Sequence, residues 1–343
     1  MQKVLVTGGC GYIGSHTIVD LINHGFEVVS VDSNIRSSTR LLEGVEKITG
    51  KKVRNYKVDL CNLEDTHAVF HENRDIVGVI HFAALKSVGE SVNDPLYYFQ
   101  NNLTSLVNVL KCIKEFNVPN FVFSSSCSVY GNTDALPVVE ETPLGEAQSP
   151  YARTKQMGEQ IIEDYSRVNN TQSILLRYFN PVGAHPSALI GELPLGKPDN
   201  LVPAITQVAI GKLPKLTVFG TNYPTRDGSC IRDYIHVMDI ANAHTKALQY
   251  LLEKRNTENC EVLNLGTGNG VTVMEAIRAF EKVSGLKLNY ELGEARPGDV
   301  IAIYANNTKA REKLGWVPES GIDDMMKTAW QWEIALRDRV LNN

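Results

Sequence analysis

The chain has no Cys-x-x-Cys pair, no run of like charges and no apolar stretch long enough to cross a bilayer. Each absence removes a class of function. The six cysteines, Cys10, Cys61, Cys112, Cys127, Cys230 and Cys260, are scattered, which fits free thiols rather than disulfides or a zinc site. A net charge of -5 without a basic cluster leaves no electrostatic footprint for nucleic acid or an anionic membrane surface. No charged-then-apolar leader precedes the first apolar run, so a cytoplasmic location is expected. His67 and His71 stand one helical turn apart, but Ala68 occupies the place where a zincin carries glutamate. A solvated helix face is expected there, and no metal.

What is present is an ordinary globular balance, 43% apolar and 21% charged over 343 residues, enough for one large α/β domain and a smaller one. The run KVLVT reads as a strand, GGCGYIG as a turn, and Ile13, Ile18, Leu21 and Ile22 as the apolar stripe of a helix. Gly8, Gly11 and Gly14 let the backbone approach a pyrophosphate at a helix N-terminus, where free N–H groups and the helix dipole favour negative charge. The next strand, FEVVSVD, ends at Asp32, where a carboxylate can bind ribose hydroxyls and repel a 2′-phosphate. NAD is therefore favoured over NADP, although Arg36 close behind weakens that preference.

Strand-like runs recur as far as Asp59, Ala84, Ser126 and Asn180, with helical segments between them. The alternation predicts a doubly wound parallel sheet, a Rossmann fold, whose ligands lie beyond the carboxyl ends of the strands. Asp59, Phe82, Ala83, Ala84, Lys86, Ser124, Ser126 and Asn180 collect at that edge. The stretch SPYARTK then places Tyr151 and Lys155 on one helix face, so that both reach one target. An ammonium beside a phenol favours phenolate; lowering the phenol from roughly 10 to near 7 takes about 4 kcal/mol, which a lysine together with a cationic cofactor can supply. Such a group would be a base usable at neutral pH. A second glycine run, LNLGTGNGVTV, is expected to be a plain strand-to-helix connection through Gly266, Gly268 and Gly270.

The segments TGGCGYIGSH, HFAALKSVGES, SSSCSVYG, SPYARTK, RYFNPVGAHP and IRDYIHVMDIA occur in this order, within a likeness that runs from the first strand to about Trp332. Together they resemble the UDP-galactose 4-epimerases of the extended short-chain dehydrogenase/reductase superfamily. The resemblance implies Tyr151 as base, Lys155 as the residue that holds the nicotinamide ribose and tunes the phenol, and Ser126 as hydrogen-bond partner of the reacting sugar hydroxyl. It implies further NAD contacts at Tyr12, Ile13, Asp32, Asn34, Asp59, Leu60, Phe82, Ala83, Lys86, Asn101 and Phe179. For a UDP-sugar it implies Asn180, Asn200, Leu201, Phe219, Arg232, Arg296 and Asp299. A diphosphate in an acidic protein needs planar cations placed locally, which suits the arginines. The implied activity is reversible inversion at C4 of UDP-galactose and UDP-glucose through a 4-keto sugar, with NAD retained.

Ile303 falls at the position that in the family gates the space beside the sugar's C2 substituent. Isoleucine is smaller than tyrosine, so UDP-GalNAc and UDP-GlcNAc are expected as additional substrates; packing within a strand would equally explain it. Rival activities share the scaffold: a 4,6-dehydratase, which would carry Asp and Glu where Cys127 and Ser128 stand; an open-cycle sugar-nucleotide dehydrogenase; a UDP-glucuronate epimerase; and a silent NAD sensor, which would have lost Tyr151 or Lys155. Residues 1–180, with 234–265 returning, are expected to form the NAD domain, and 181–233 with 266–343 the sugar-binding lobe. A homodimer is implied through helices near Leu96 to Phe116 and Tyr151 to Val168, with Val107, Leu110 and Ile161 as apolar positions that burial within one subunit would also explain.

Overall fold

The computed structural model describes residues 1–194, 196, 198–295 and 300–341. Its strands are β1 (Lys3–Thr7), β2 (Glu27–Val31), β3 (Arg54–Tyr56), β4 (Ile76–His81), β5 (Asn120–Ser126), β6 (Gln172–Tyr178), β7 (Asn180–Val182), β8 (Leu216–Phe219), β9 (Ile231–His236), β10 (Cys260–Leu265), β11 (Gly270–Thr272), β12 (Tyr290–Gly293) and β13 (Ala302–Ile303). Seven of them form one parallel sheet in the order β10-β6-β5-β4-β1-β2-β3. The order reverses at β1, between β2 and β4, and a crevice for a nucleotide is expected beyond the carboxyl ends there.

The period of two along β1 shows why both faces must be covered. Val4 and Val6 enter one buried cluster with Ile18, Val28, Ile80, Ile240 and Leu248. Leu5 enters the other with Val79, Leu106, Val109, Phe121 and Ile162. Helices Tyr12–Asn23 and Val237–Leu252 lie on the first face; Leu63–Glu72, Pro95–Glu115 and Pro150–Val168 lie on the second. Leu110 and Ile161 pack into that second cluster and not outward. The strand expected to run to Asp59 stops at Tyr56, because the chain turns there: the Asp59 carboxylate accepts from the Cys61 N–H at 2.9 Å, and the Asn62 side chain caps the helix that follows.

A third cluster, including Val202, Ile205, Val218, Phe280 and Met326, lies beneath a smaller sheet in which β9 is paired with β7, β11 and β13. Tyr234, Ile235 and His236 therefore belong to the small sheet as strand residues, while the following helix Val237–Leu252 and β10 join the large one. The chain returns once more: Ala310, Leu314 and Trp316 enter the first cluster, and the Trp316 indole donates to the Asp239 carbonyl at 2.9 Å. No described helix is long and apolar enough to cross a membrane.

Candidate active site

The glycine turn is built by close approach. Gly8 has φ +70°, and a Cβ there would lie 2.9 Å from the Ala83 nitrogen at the end of β4. A Cβ on Gly14 would lie 2.3 Å from the Gly8 carbonyl, so only glycine lets the helix begin this near the strand. Gly11 is the N-cap and offers no side chain, and among the described residues no group accepts from the N–H of Tyr12, Ile13 or Gly14. Three donors at a helix N-terminus thus face an anion's place. The Tyr12 hydroxyl turns away to the Gly183 carbonyl at 2.6 Å, tying this helix to the residue after β7.

Asp32 is fixed at the end of β2. Its carboxylate accepts from the Cys10 N–H at 3.0 Å, the Asn34 N–H at 2.9 Å and the Ser37 hydroxyl at 2.7 Å, with Asn34 in the left-handed region at φ 58°. Arg36 pairs with Glu90 and is not directed at Asp32. That pairing removes the cation that weakened the preference for NAD. Phe82, Ala83 and Ala84 are half-buried at the end of β4, and Leu60 is buried behind the exposed Asp59. Asn101 lies beside this loop, but its neighbour Asn102 does the fastening: it accepts from the Leu85 N–H at 2.8 Å and donates to the Leu85 carbonyl and the Thr154 hydroxyl, each at 3.0 Å. Thr154 in turn donates to the Tyr151 carbonyl at 2.7 Å. Sequence reasoning missed Asn102; only its burial, 7% exposed, marks it.

Tyr151 and Lys155 leave the helix Pro150–Val168 on one face, beside the end of β5. The helix starts where Ser149 accepts from the Ala152 N–H and Pro150 occupies the first turn. The Lys155 ammonium donates to the Ser124 carbonyl at 2.6 Å and stands 5.9 Å from the Tyr151 ring centre. Burial pushes Lys155 down to about 8, against the pull of Glu159. The expected fall of the Tyr151 phenol does not follow from the protein's own groups. Burial raises it, Tyr178 adds to the rise, and the Ser126 hydroxyl opposes both. The Ser124 hydroxyl is paired with Tyr178, while Ser126 accepts from the Ser128 N–H at 3.2 Å and keeps its own proton for the site. Phe179 is buried next to this edge, in a cluster with Val129, Tyr130 and Ile303.

Beyond the large sheet, Asn180 begins β7, Asn200 and Leu201 open the helix Leu201–Ala209, and Phe219 ends β8. Arg232 on β9 donates to the Val300 carbonyl at 2.6 Å, and its charge reaches the Cys127 thiol, next to Ser126. Ile303 pairs in register with Arg232 and packs near Cys127. Arg296 and Asp299 lie outside the described residues. A residue the sequence did not single out, Glu192, joins the two sides: its Oε1 accepts from Lys86 at 3.1 Å and from Asn200 at 2.9 Å. Its position in a Pro- and Gly-rich loop carries no sequence signal.

The second glycine run has an internal anion. Asp233 accepts from the Thr267 N–H at 2.8 Å, the Thr267 hydroxyl at 2.6 Å and the Gly268 and Ala305 N–H groups at 3.1 Å. A Cβ on Gly266 would fall 2.4 Å from that carboxylate. The place a phosphate would take is filled by the chain itself. A cavity of about 570 Å³ along the outer edge of β10, lined by Glu140, Glu163, Arg167 and Cys260 among others, includes none of the candidate site residues.

A family model described as GDP-mannose 4,6 dehydratase matches residues 5–329. The chain is 49% identical over 333 residues to a UDP-glucose 4-epimerase of Bacillus subtilis, with 97% of each covered. The chain belongs to the UDP-glucose 4-epimerase family. A Drosophila melanogaster member is 48% identical over 337 residues, with 96% of each covered. Among solved members of the family, the Stenotrophomonas maltophila enzyme with bound NAD and formylated UDP-arabinopyranose superposes with a TM-score of 0.95 at 44% identity, covering 99% of this chain and 100% of that one. The Bifidobacterium longum enzyme in complex with NAD+ and UDP gives 0.93 at 45% identity, covering 98% and 99%. Membership in this family agrees with the residues after Ser126: Cys127 is no acid, since burial pushes its thiol up to about 12, and Ser128 is a hydroxyl. Neither replaces the acid pair expected of a dehydratase.

Proposed function

We propose that this chain reversibly inverts C4 of UDP-galactose and UDP-glucose with a retained NAD. The observation that carries this reading is the convergence of Ser126, Tyr151 and Lys155 at the end of β5, on the sheet edge where the glycine turn presents three free N–H donors. NAD would be held by that turn, by Asp32 on the ribose and by Lys155, and it supplies the acceptor and later donor of the hydride at C4. Tyr151 takes the proton of the C4 hydroxyl, with Ser126 holding the same oxygen, and returns it when the 4-keto sugar has presented its other face. The uridine diphosphate would be held by Asn180, Asn200, Leu201, Phe219, Arg232, Arg296 and Asp299, between the large parallel sheet and the lobe built on the small one. A firm diphosphate grip and a less directional sugar space suit a ketone that must rotate.

To test this, the purified protein is incubated with UDP-galactose and no added cofactor, and the product is followed by proton NMR. The gluco epimer without accumulated NADH is expected. Oxidised sugar with rising NADH absorbance, or no epimer even with NAD supplied, overturns the reading.

The same reading extends to UDP-GalNAc and UDP-GlcNAc, because Ile303, in the buried cluster against which Cys127 packs, is smaller than the tyrosine that closes this space. The solved Campylobacter jejuni relative, 34% identical, is a UDP-Glc/GlcNAc 4-epimerase. Ile303→Tyr is expected to lower kcat/KM for the acetamido sugar about tenfold or more relative to UDP-galactose. An unchanged ratio of the two in an NMR competition assay removes Ile303 as the gate. We further infer a cytoplasmic homodimer: the six free cysteines suit a reducing compartment, and Leu96, Met157 and Val168 are exposed apolar residues on helices Pro95–Glu115 and Pro150–Val168. Light scattering during gel filtration measures the mass.

A further inference from the structure

Three serines end β5, and the chemistry proposed above uses their groups unequally. Ser126 meets the reacting oxygen, and Ser124 gives its carbonyl to Lys155. The strand's alternation turns Ser125 toward the helix Pro150–Val168, where its hydroxyl donates to Glu159. Glu159 follows Lys155 by four residues and Tyr151 by eight, so the three share one helix face. Its two oxygens also take a forked pair of bonds from Arg177 on β6, at 2.9 Å from Nε and 2.6 Å from Nη2. The ion pair is buried, with side chains 2% and 5% exposed. Arg177 is itself fastened to the Tyr130 hydroxyl at 3.1 Å and the Glu140 carbonyl at 3.2 Å.

A buried ion pair is a poor means of stabilising a fold, because desolvation opposes most of its attraction and well-packed apolar residues often serve better. This one lies directly behind the reacting strand end. We propose that Glu159, locked by Arg177, is a positioning residue: through Ser125 it sets the placement of Ser126 against Tyr151, and its charge faces the Lys155 ammonium along the same helix. This role rests on the epimerase reading above. A strand end free to slide by an ångström would lose the alignment of hydroxyl, phenol and sugar.

The surroundings of the pair come from several elements. Lys155 is faced by Tyr151 and Glu159 on its own helix, by the Ser124 carbonyl and Phe123 ring on β5, and by His81 on β4, which it helps keep neutral. Glu159 is faced by Arg177 and Lys155, by Glu163 on its own helix and by Cys260 on β10. Since Glu159 pulls the Lys155 value up against burial, its charge extends the pH range over which the ammonium persists.

Ser125→Ala severs the strap without leaving a charge unpaired. In the full-length enzyme its kcat for UDP-galactose is expected to fall about tenfold or more, with KM within about twofold, bound NAD retained and the alkaline limb of the kcat profile unmoved. Glu159→Gln is expected to show the same loss and to bring the alkaline limb to lower pH by about 1. Glu159→Asp, which keeps the charge but shortens the reach, should restore the limb and not kcat. Ser125→Ala with the wild-type kcat overturns the proposal, as does a folded Glu159→Gln whose kcat and alkaline limb are both unmoved and whose melting temperature alone falls. Should Glu159→Gln fail to fold, Ser125→Ala decides. Tyr151→Phe runs beside them: an active wild type with an inactive Tyr151→Phe isolates the positioning question, whereas an inactive wild type overturns the epimerase reading itself.

Discussion

Tyr151→Phe is expected to lose about three orders of magnitude in kcat while keeping its NAD and a KM for UDP-galactose within a fewfold range. In the reaction proposed above this hydroxyl, on the helix Pro150–Val168, takes the C4 proton. Ser126 is next to it, but an ordinary serine hydroxyl is a far weaker base, and Lys155 is occupied at the Ser124 carbonyl. The buried phenol keeps its proton until charge arrives with the ligands, so the loss should appear in turnover and not in binding. Stability should hardly change, because phenylalanine preserves the ring and removes a hydroxyl whose burial opposes ionisation. Proton NMR gives the rate, and the absorbance of bound cofactor gives its retention. A Tyr151→Phe rate within tenfold of the wild type would contradict the assignment of the base.

Mild acid is expected to destabilise this protein steeply. Among the described residues, four histidines are buried and held neutral: His16 and His81 are pushed down to about 3, and His236 and His244 to about 4, in each case mainly by burial. Their bonds show why none readily takes a second proton. His16 and His244 each place Nδ1 on a carbonyl of the preceding turn, which makes it the donor, and their Nε2 atoms are buried without a partner. His236 accepts at Nδ1 from the Met238 N–H and meets Thr328 at Nε2; His81 meets Thr7 at Nδ1.

The unfolded chain takes up protons at these rings below about 6.5 and the folded chain does not, so the unfolded state binds more protons and stability falls as pH falls. The full stability is present above about 6.5 and is lost toward pH 4 to 3. The slope approaches about 1.4 kcal/mol per histidine for each pH unit, which gives about 4 kcal/mol for the four between about 6.5 and 5.5, against a usual total of about 5–15 kcal/mol. Glu140, Glu163, Asp233 and Asp239 are raised by burial and act in the opposite sense, between their raised values and the ordinary ones near 4. Melting temperatures measured between pH 7 and 5 should drop throughout. A flat profile over that interval would mean that the histidines titrate in the folded state.

The parts of the site that are legible in sequence are those whose partners lie close in the chain. The glycine turn, Asp32 and the Tyr151 to Lys155 spacing are each dictated by one strand, one turn or one helix, and the structure puts them where the pattern says. Parts made by distant segments are not legible. Asn102 works by joining Leu85 to Thr154, and Glu192 by joining Lys86 to Asn200, and nothing in the neighbouring residues of either announces the partner. The sequence argues against the second glycine run as a nucleotide site because one half-fold already supplies one; the physical reason is the Asp233 carboxylate, which arrives from another strand. The phenol's pKa has the same limit: Lys155 sits one turn away in the chain, but burial raises the phenol, so the lowering falls to the cationic cofactor.

In the proposed reaction the hydrogen at C4 leaves as hydride, is kept inside the protein and returns to the same carbon. This is tested most directly by converting UDP-galactose in deuterium oxide and reading the C4 position of the UDP-glucose product by NMR and mass spectrometry. Protium retained at C4, with no solvent deuterium incorporated, is the result this account requires. Deuterium at C4 in the product would contradict it, since the carbon would then have exchanged a proton with solvent and Tyr151 would be acting on carbon and not on oxygen.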